Sequence, residues 1–255
     1  MDFTLSFVVN NTPIYRIMPL KRLKEMVEEK RNTLVSPSLW EDPYEMNYSN
    51  SVIVTEKGDL PLDASHWFGQ CWSLCEESAI MWQAFKKSPE PYVKIKIHAF
   101  DLVGELKSND DGLRISILEH VRYFNPNISD YEEALKDCVS MHQWPQNFLS
   151  RGVTCAELYP LYSLLTKRDV FKHEEEVRLL LFDKSSLKSQ ESISYPFNPD
   201  IIKEVVIDPR ASLDDDIFKK IKSELREYLP EDKTVIRKSE IFSDSSKFSI
   251  RYHIK

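Results

Sequence analysis

Glycine is scarce in this chain, with five in 255 residues. Loops that cradle phosphate on bare backbone need glycines at fixed spacing, and neither a GxGxxG turn nor a Walker loop is present. Long apolar runs are missing too. No stretch approaches the ~20 residues that span a bilayer, and the opening segment has no basic region ahead of an apolar core, as a secretory leader would. Cysteine occurs four times, at Cys71, Cys75, Cys138 and Cys155, which does not suggest a disulfide framework in a chain of this size. The cytoplasm is the expected compartment, with no membrane partner. The six histidines build no HExxH or His-x-His pair, and His66 with Cys71 and Cys75 lacks a zinc finger's spacing and second ligand pair. Cys71 sits among strand residues and reads as an inert buried thiol. No metal is expected.

What is present is the composition of a folded chain. Hydrophobic residues make up 42% and charged residues 29%, which argues against disorder. The length is enough to bury a real core, and with no internal repeat or long linker the chain reads as one domain over residues 1–255. A formal net charge of −7 argues against broad electrostatic binding to nucleic acid. A protein or a small-molecule nucleotide stays open as partner.

Periodicity supplies the elements. Strands are predicted over 13–17, 33–38, 51–62, 66–74, 92–100, 113–124 and 201–209, with two late strands over 234–241 and 248–254. Helices are predicted over 20–30, over 75–85 with an acidic first turn, over 129–144 from a capping box, and over 155–169 with a kink or start at Pro160. The strongest helical pattern covers 212–229, where Ser212 caps and Asp214 to Asp216 fill the first turn. The fold class is therefore α+β: a single domain, with a mixed or mainly antiparallel sheet and interspersed helices.

One segment asks for chemistry. In "FKHEEEVRLLLF", residues 171–182, charged and apolar side chains alternate from Glu174 to Arg178, as in a strand. Glu174, Glu176 and Arg178 would then share one face beside a hydrophobic core, where ions are rare unless paired. The stretch is either an ion-pair ladder or the acidic edge of a site. Asp42 and Glu45 flank Pro43 in a turn, either as an Asx turn or as hard oxygen ligands for a cation. Trp40, Trp72 and Trp82 either stack a base or sugar, or belong to the core.

Taken in order, several short motifs resemble those of a bacterial family called domain of unknown function 2971. They are Tyr15-Arg16, Ser36-Pro37 with Asp42-Pro43-Tyr44-Glu45, Cys71-Trp72-Ser73, Met81-Trp82, then Lys167, Glu174, Glu176 and Arg178, and finally "IIKEVVIDP". The resemblance spans about residues 13–230, leaving late strands in 234–255. Glu41, Phe85 and Phe171 depart from it, standing where the family has Asn, Tyr and Trp.

The order Arg16, Ser73, Glu174-x-Glu176 also resembles the Arg–Ser–Glu type of ADP-ribosyltransferase. That resemblance implies NAD as substrate. Arg16 and Arg178 would hold phosphate, Ser73 would orient the ribose, and Glu176 with Glu174 would stabilise the charge that develops as nicotinamide leaves. The candidate site is a cleft lined by Tyr15, Arg16, Trp40, Asp42, Glu45, Ser73, Trp82, Lys167, Glu174, Glu176 and Arg178. Two other readings stand beside it. One is a non-catalytic sensor or partner-binding module of a bacterial stress or phage-defence system. The other is a metal-dependent phosphodiesterase or nuclease, with Asp42, Glu45 and a glutamate from 174 to 176 around one ion.

Overall fold

The computed structural model describes residues 5–6, 12–107, 114–125, 127, 133 and 152–242. The short strand β1 (Leu5–Ser6) comes first, followed by β2 (Pro13–Pro19) and helix α1 (Leu20–Glu28). Leu20, Leu23, Met26 and Val27 of α1 are buried, as their spacing predicts. Next come β3 (Arg31–Val35), a 3-10 segment over Pro43–Asn50, the exposed hairpin β4 (Val52–Thr55) and β5 (Gly58–Pro61), and the core strand β6 (Trp67–Ser73). Helix α2 (Ala79–Phe85), β7 (Tyr92–His98), helix α3 (Ala99–Lys107), β8 (Arg114–His120) and β9 (Arg122–Phe124) complete the first half.

The second half begins with two short helices, α4 (Cys155–Leu158) and α5 (Pro160–Leu164). Strand β10 (Thr166–Arg168), a 3-10 turn over Asp169–Glu174, and strands β11 (Glu176–Asp183), β12 (Ser192–Pro196) and β13 (Glu204–Ile207) follow. Helix α6 (Asp215–Arg226) and β14 (Val235–Lys238) come last.

The main sheet runs β1-β8-β11-β6-β2-β7-β13-β14. It is mixed but mainly antiparallel: β1 with β8 and β13 with β14 are its parallel pairs, which bears out the expected α+β class. Its decisive feature is a fork. One edge of β6 pairs along its whole length with β11. The other edge meets β2 only at Ser73, opposite Tyr15, and β3 only at Gly69, opposite Val35. Between these two contacts Gln70, Cys71 and Trp72 face an opening in the sheet rather than a strand.

All eight residues of β11 are buried, because the sheet is covered on both faces. Val177, Leu179 and Leu181 enter the larger apolar cluster, with Ile14, Leu34 and Ile95. Leu180 and Phe182 enter a second cluster with Trp67, Leu161 and Leu164. By the two-residue period of a strand, Glu176 and Arg178 lie on this second face.

Several boundaries differ from the sequence expectation, each for a local reason. The strand at 171–182 begins at Glu176, because Glu175 is left-handed (φ 44°, ψ 52°) and ends the preceding turn. Glu174 is therefore not a strand residue. The helix expected over 75–85 starts at Ala79: the Glu76 carbonyl is held by Lys94 and the Glu77 carboxylate by Trp82 and Ser239, so neither glutamate is in the first turn. The helix over 155–169 divides at Pro160, which lacks the N–H to continue a helix, and Lys167 and Arg168 pair with β9 as strand. Asp214, not Ser212, caps α6, accepting from the N–H groups of Asp216 and Ile217. Apart from residue 133, the expected helix over 129–144 lies outside the described residues, as does the strand over 248–254. Among the described residues, no helix is long and apolar enough to cross a membrane.

Candidate functional site

A cleft of about 650 Å³ occupies the fork. The 3-10 segment and the Trp40 loop form one side, α2 another, and the β10–β11 turn a third. Of the residues singled out in the sequence, Tyr15, Arg16, Trp40, Asp42, Glu45, Ser73, Trp82, Lys167, Glu174 and Glu176 all line it.

Arg178 does not line it. The expectation that Arg178 binds phosphate is corrected by its burial, since no surface of the residue is accessible and its donors face protein. Its Nε donates to Glu176 at 2.7 Å, Nη1 to the Leu164 carbonyl at 2.7 Å, and Nη2 to both Glu176 at 3.1 Å and Glu45. The guanidinium also lies 4.4 Å from the centre of the Trp40 ring. Trp40 can lie that close to the sheet because residue 69 is glycine: a Cβ there would sit 2.5 Å from the indole.

Lys167 completes the network. Its ammonium is 2.6 Å from Glu174, 3.0 Å from Glu176 and 3.9 Å from Glu45. Glu174 reaches Lys167 although it lies off the strand, because the left-handed Glu175 turns both flanking carboxylates to one side. Burial pushes the Glu176 carboxyl upward, but the Arg178 guanidinium and Lys167 outweigh it and hold the group at about 2. Burial wins at Glu45, whose pKa is raised despite Arg178 and Lys167. Lys167 loses some basicity to burial and regains more from Glu176 and Glu174, ending well above its ordinary value. Phe171, where the family pattern has Trp, still offers an aromatic face to Lys167, 4.8 Å from its ring centre.

Ser73 is a tie rather than a free hydroxyl. It donates to the Glu174 carbonyl at 2.7 Å and accepts from the Cys75 N–H at 2.9 Å, fixing the turn to β6. Asp42 accepts a two-point contact from Arg168, at 3.0 and 3.2 Å, and caps its own turn through the Tyr44 N–H. Asp42, Glu45, Glu174 and Glu176 thus face cations rather than a shared centre. Among the described residues no three His, Cys, Asp or Glu side chains are disposed to hold a metal ion, and the metal-dependent reading finds no support in this geometry.

Arg16 is the contrast. It pairs through its backbone with Ile95 on β7 and lines the cleft, half-buried, from the Ile14 and Met18 face of β2, whereas Tyr15 shares the face of Ser73 and Glu176. Among the described residues its guanidinium makes no ion pair and no hydrogen bond. Burial lowers its pKa, with Cys71 and Tyr195 as polar neighbours. Tyr15 and Trp82 are buried against the same space, the Trp82 indole donating to Glu77 at 3.4 Å.

Sequence reasoning missed three participants. Arg168 carried no signal beyond its place next to Lys167. Tyr123, whose hydroxyl accepts the Glu176 N–H at 2.8 Å, is remote in sequence. Cys71 was read only as an inert buried thiol, yet it lines the cleft and hydrogen-bonds to Glu176, with burial raising its pKa.

No family model and no curated protein matches the chain. Among solved structures it is similar to DarT of Thermus sp. 2.9. The complex with NAD+ is 12% identical, covers 91% of this chain and 96% of that chain, and superposes with a TM-score of 0.38. The complex with ADP-ribosylated ssDNA is 12% identical, covers 93% and 98%, and gives 0.39. At that identity and superposition the likeness carries no inference about this chain's chemistry. The resemblance to the domain of unknown function 2971 family rests on its motifs alone.

Proposed function

We propose that the protein is a nucleotide-acting enzyme of the ADP-ribosyltransferase type that breaks the bond between nicotinamide and ribose in NAD. The observation that carries this reading is Arg16, a cation with no hydrogen-bond or ion-pair partner among the described residues, in an aromatic-lined cleft that Glu176 also lines. An unpaired arginine beside apolar surface is matched by an anion from outside, and its planar fork suits a pyrophosphate.

In the proposed reaction the C1′–N bond breaks and its electron pair leaves with nicotinamide. Positive charge builds on the ribose, and an acceptor oxygen or water then bonds to C1′ and loses its proton to solvent. Glu176, held at about 2, is a poor base, so its contribution is electrostatic. One carboxylate in a dry cleft supplies ~3–4 kcal/mol of such stabilisation. Tyr15, Trp40 and Trp82 would bound the rings, Lys167 and Arg178 would set the carboxylates, and Ser73 would hold the turn.

The test is nicotinamide release from NAD by the purified protein, together with any partner it has in the cell. Glu176→Gln should slow release about a hundredfold while dinucleotide binding changes little, because the lost interaction belongs to the transition state. A folded, partnered protein that gives no calorimetric signal with NAD removes this reading.

A second reading is favoured by how fully Glu174 and Glu176 are matched by Lys167 and Arg178. Here the protein is a sensor or partner-binding module of a bacterial stress or phage-defence system that holds a nucleotide without turnover. NAD binding with no nicotinamide release, in wild type and Glu176→Gln alike, decides for it.

A further inference from the structure

The turn that delivers Glu176 has a second cavity on its other side. This space, about 560 Å³, is lined by His120, Tyr123, Lys172, His173, Glu175 and Glu176 among others. Three separate elements contribute: His120 ends β8, Tyr123 belongs to β9, and Lys172 and His173 lie in the 3-10 turn before β11. Among the described residues the side chains of His120, Lys172 and His173 make no hydrogen bond or ion pair. The Tyr123 hydroxyl accepts the Glu176 N–H, which leaves its own proton for another acceptor. Burial pushes that phenol up to about 12, so it remains a donor at neutral pH.

Among the described residues, four groups able to donate therefore line one cavity with no acceptor engaged. Glu176 is matched by Arg178 and Lys167, and Glu175, exposed on the rim, makes no ion pair among the described residues. A ligand that satisfies such a set carries several acceptor oxygens on one atom and a negative charge, which describes a phosphate group. The volume leaves room for a sugar beside it. We infer that this cavity is a second ligand site, taking the phosphate of a mononucleotide-sized phosphate monoester through Tyr123, His120, Lys172 and His173. The site goes beyond the dinucleotide reading and shares with that cleft only the Glu176 wall. An occupant that engages Tyr123 also acts on the backbone that sets Glu176.

Histidine C–H resonances report on it directly, with His120→Gln and His173→Gln supplying the assignments. Titration with inorganic phosphate, and separately with adenosine 5′-monophosphate, should shift both signals in the wild-type protein and equally in Arg16→Ala. Lys172→Ala, on the exposed rim, and Tyr123→Phe should each weaken the apparent affinity about tenfold, as the loss of one hydrogen bond to a charged group predicts. Signals that stay in place with both probes, or that move in the wild type but not in Arg16→Ala, overturn the assignment. Failure of NAD binding with these shifts intact removes the dinucleotide reading and leaves this site standing.

Discussion

The two ends of the cleft treat charge in opposite ways. Inside the cleft at β11 the buried ions have mates: Arg178 holds Glu176 and Glu45, and Lys167 holds Glu174 and Glu176. On β2, Arg16 has none among the described residues. A buried network is stable only when each member is satisfied, so the β11 end is complete without a ligand. The β2 end is not, and desolvation there is offset only when an anion arrives. One end sets geometry in advance and the other waits for a partner, which makes the two separable by mutation.

The largest effect should come from the centre of the complete end. Arg178→Met leaves Glu45 and Glu176 buried without their main cation, and breaking one side of a buried pair typically costs ~3–5 kcal/mol. In a chain of this size that lowers Tm by roughly 10 °C. A thermal melt within two degrees of wild type would mean that the network is no structural element, and the contrast with Arg16 would collapse.

Next is Glu176→Gln. Stability alone cannot separate a structural from a catalytic role here, because the carboxylate is 3% exposed and bonded to both cations. Loss of the variant's stability is expected either way, and only the rate of nicotinamide release tells the roles apart. Its pH dependence sharpens the point. The Glu176 carboxyl falls from 4.5 to about 2 on folding, a shift equivalent to roughly 3 kcal/mol. A depressed pKa contributes stability that is present above pH 4.5 and lost as pH falls through about 2. Glu45 runs the other way: its raised pKa contributes stability present below 4.5 and lost as pH rises through its folded value. Urea melts from pH 5 to pH 2 should show falling stability in the wild type and a much flatter profile in Glu176→Gln. Parallel profiles would break the assignment.

A smaller gain is expected at the hinge between the glutamates. Glu175 is left-handed at φ 44°, a conformation that costs a residue with a Cβ ~1–2 kcal/mol. Glu175→Gly should raise Tm by a few degrees, less what the added freedom of the unfolded chain takes back. If Tm falls instead, the side chain contributes more than its backbone strain costs.

How much of this was legible depended on whether the signal was periodic. Helix α1 and strand β7 were readable because burial repeats along the chain in one register, through Leu23, Met26 and Val27 or Val93, Ile95 and Ile97. The convergence of Asp42, Trp82, Lys167 and Glu176 was readable too, since polar residues beside apolar strands need partners. The alternation from Glu174 to Arg178 misled, because one left-handed residue breaks a strand without any trace in a two-residue pattern. The fork at β6 was invisible for a different reason: it depends on β2 and β3 each touching β6 at a single position. The sequence pattern points to Ser212 as the cap of α6 with Asp214 in its first turn, whereas the structure caps the helix two residues later, at Asp214.

The smallest effect on stability, and the sharpest test of the comparison, belongs to Arg16. Removing a cation that has no mate among the described residues breaks no ion pair there and relieves desolvation, so Arg16→Ala should leave Tm unchanged or raise it by a degree or two. Its apolar stem covers part of the cleft wall, and losing that packing limits the gain. Binding should respond in the opposite sense. If the guanidinium receives a pyrophosphate, losing a charge-assisted contact should weaken dinucleotide affinity about tenfold to a hundredfold, measured by calorimetry. Arg16→Lys should recover only part of it, because a point charge lacks the two-point fork. A variant that melts far below wild type while binding NAD normally would make Arg16 a structural residue with a partner of its own. The two ends of the cleft would then differ in degree and not in kind.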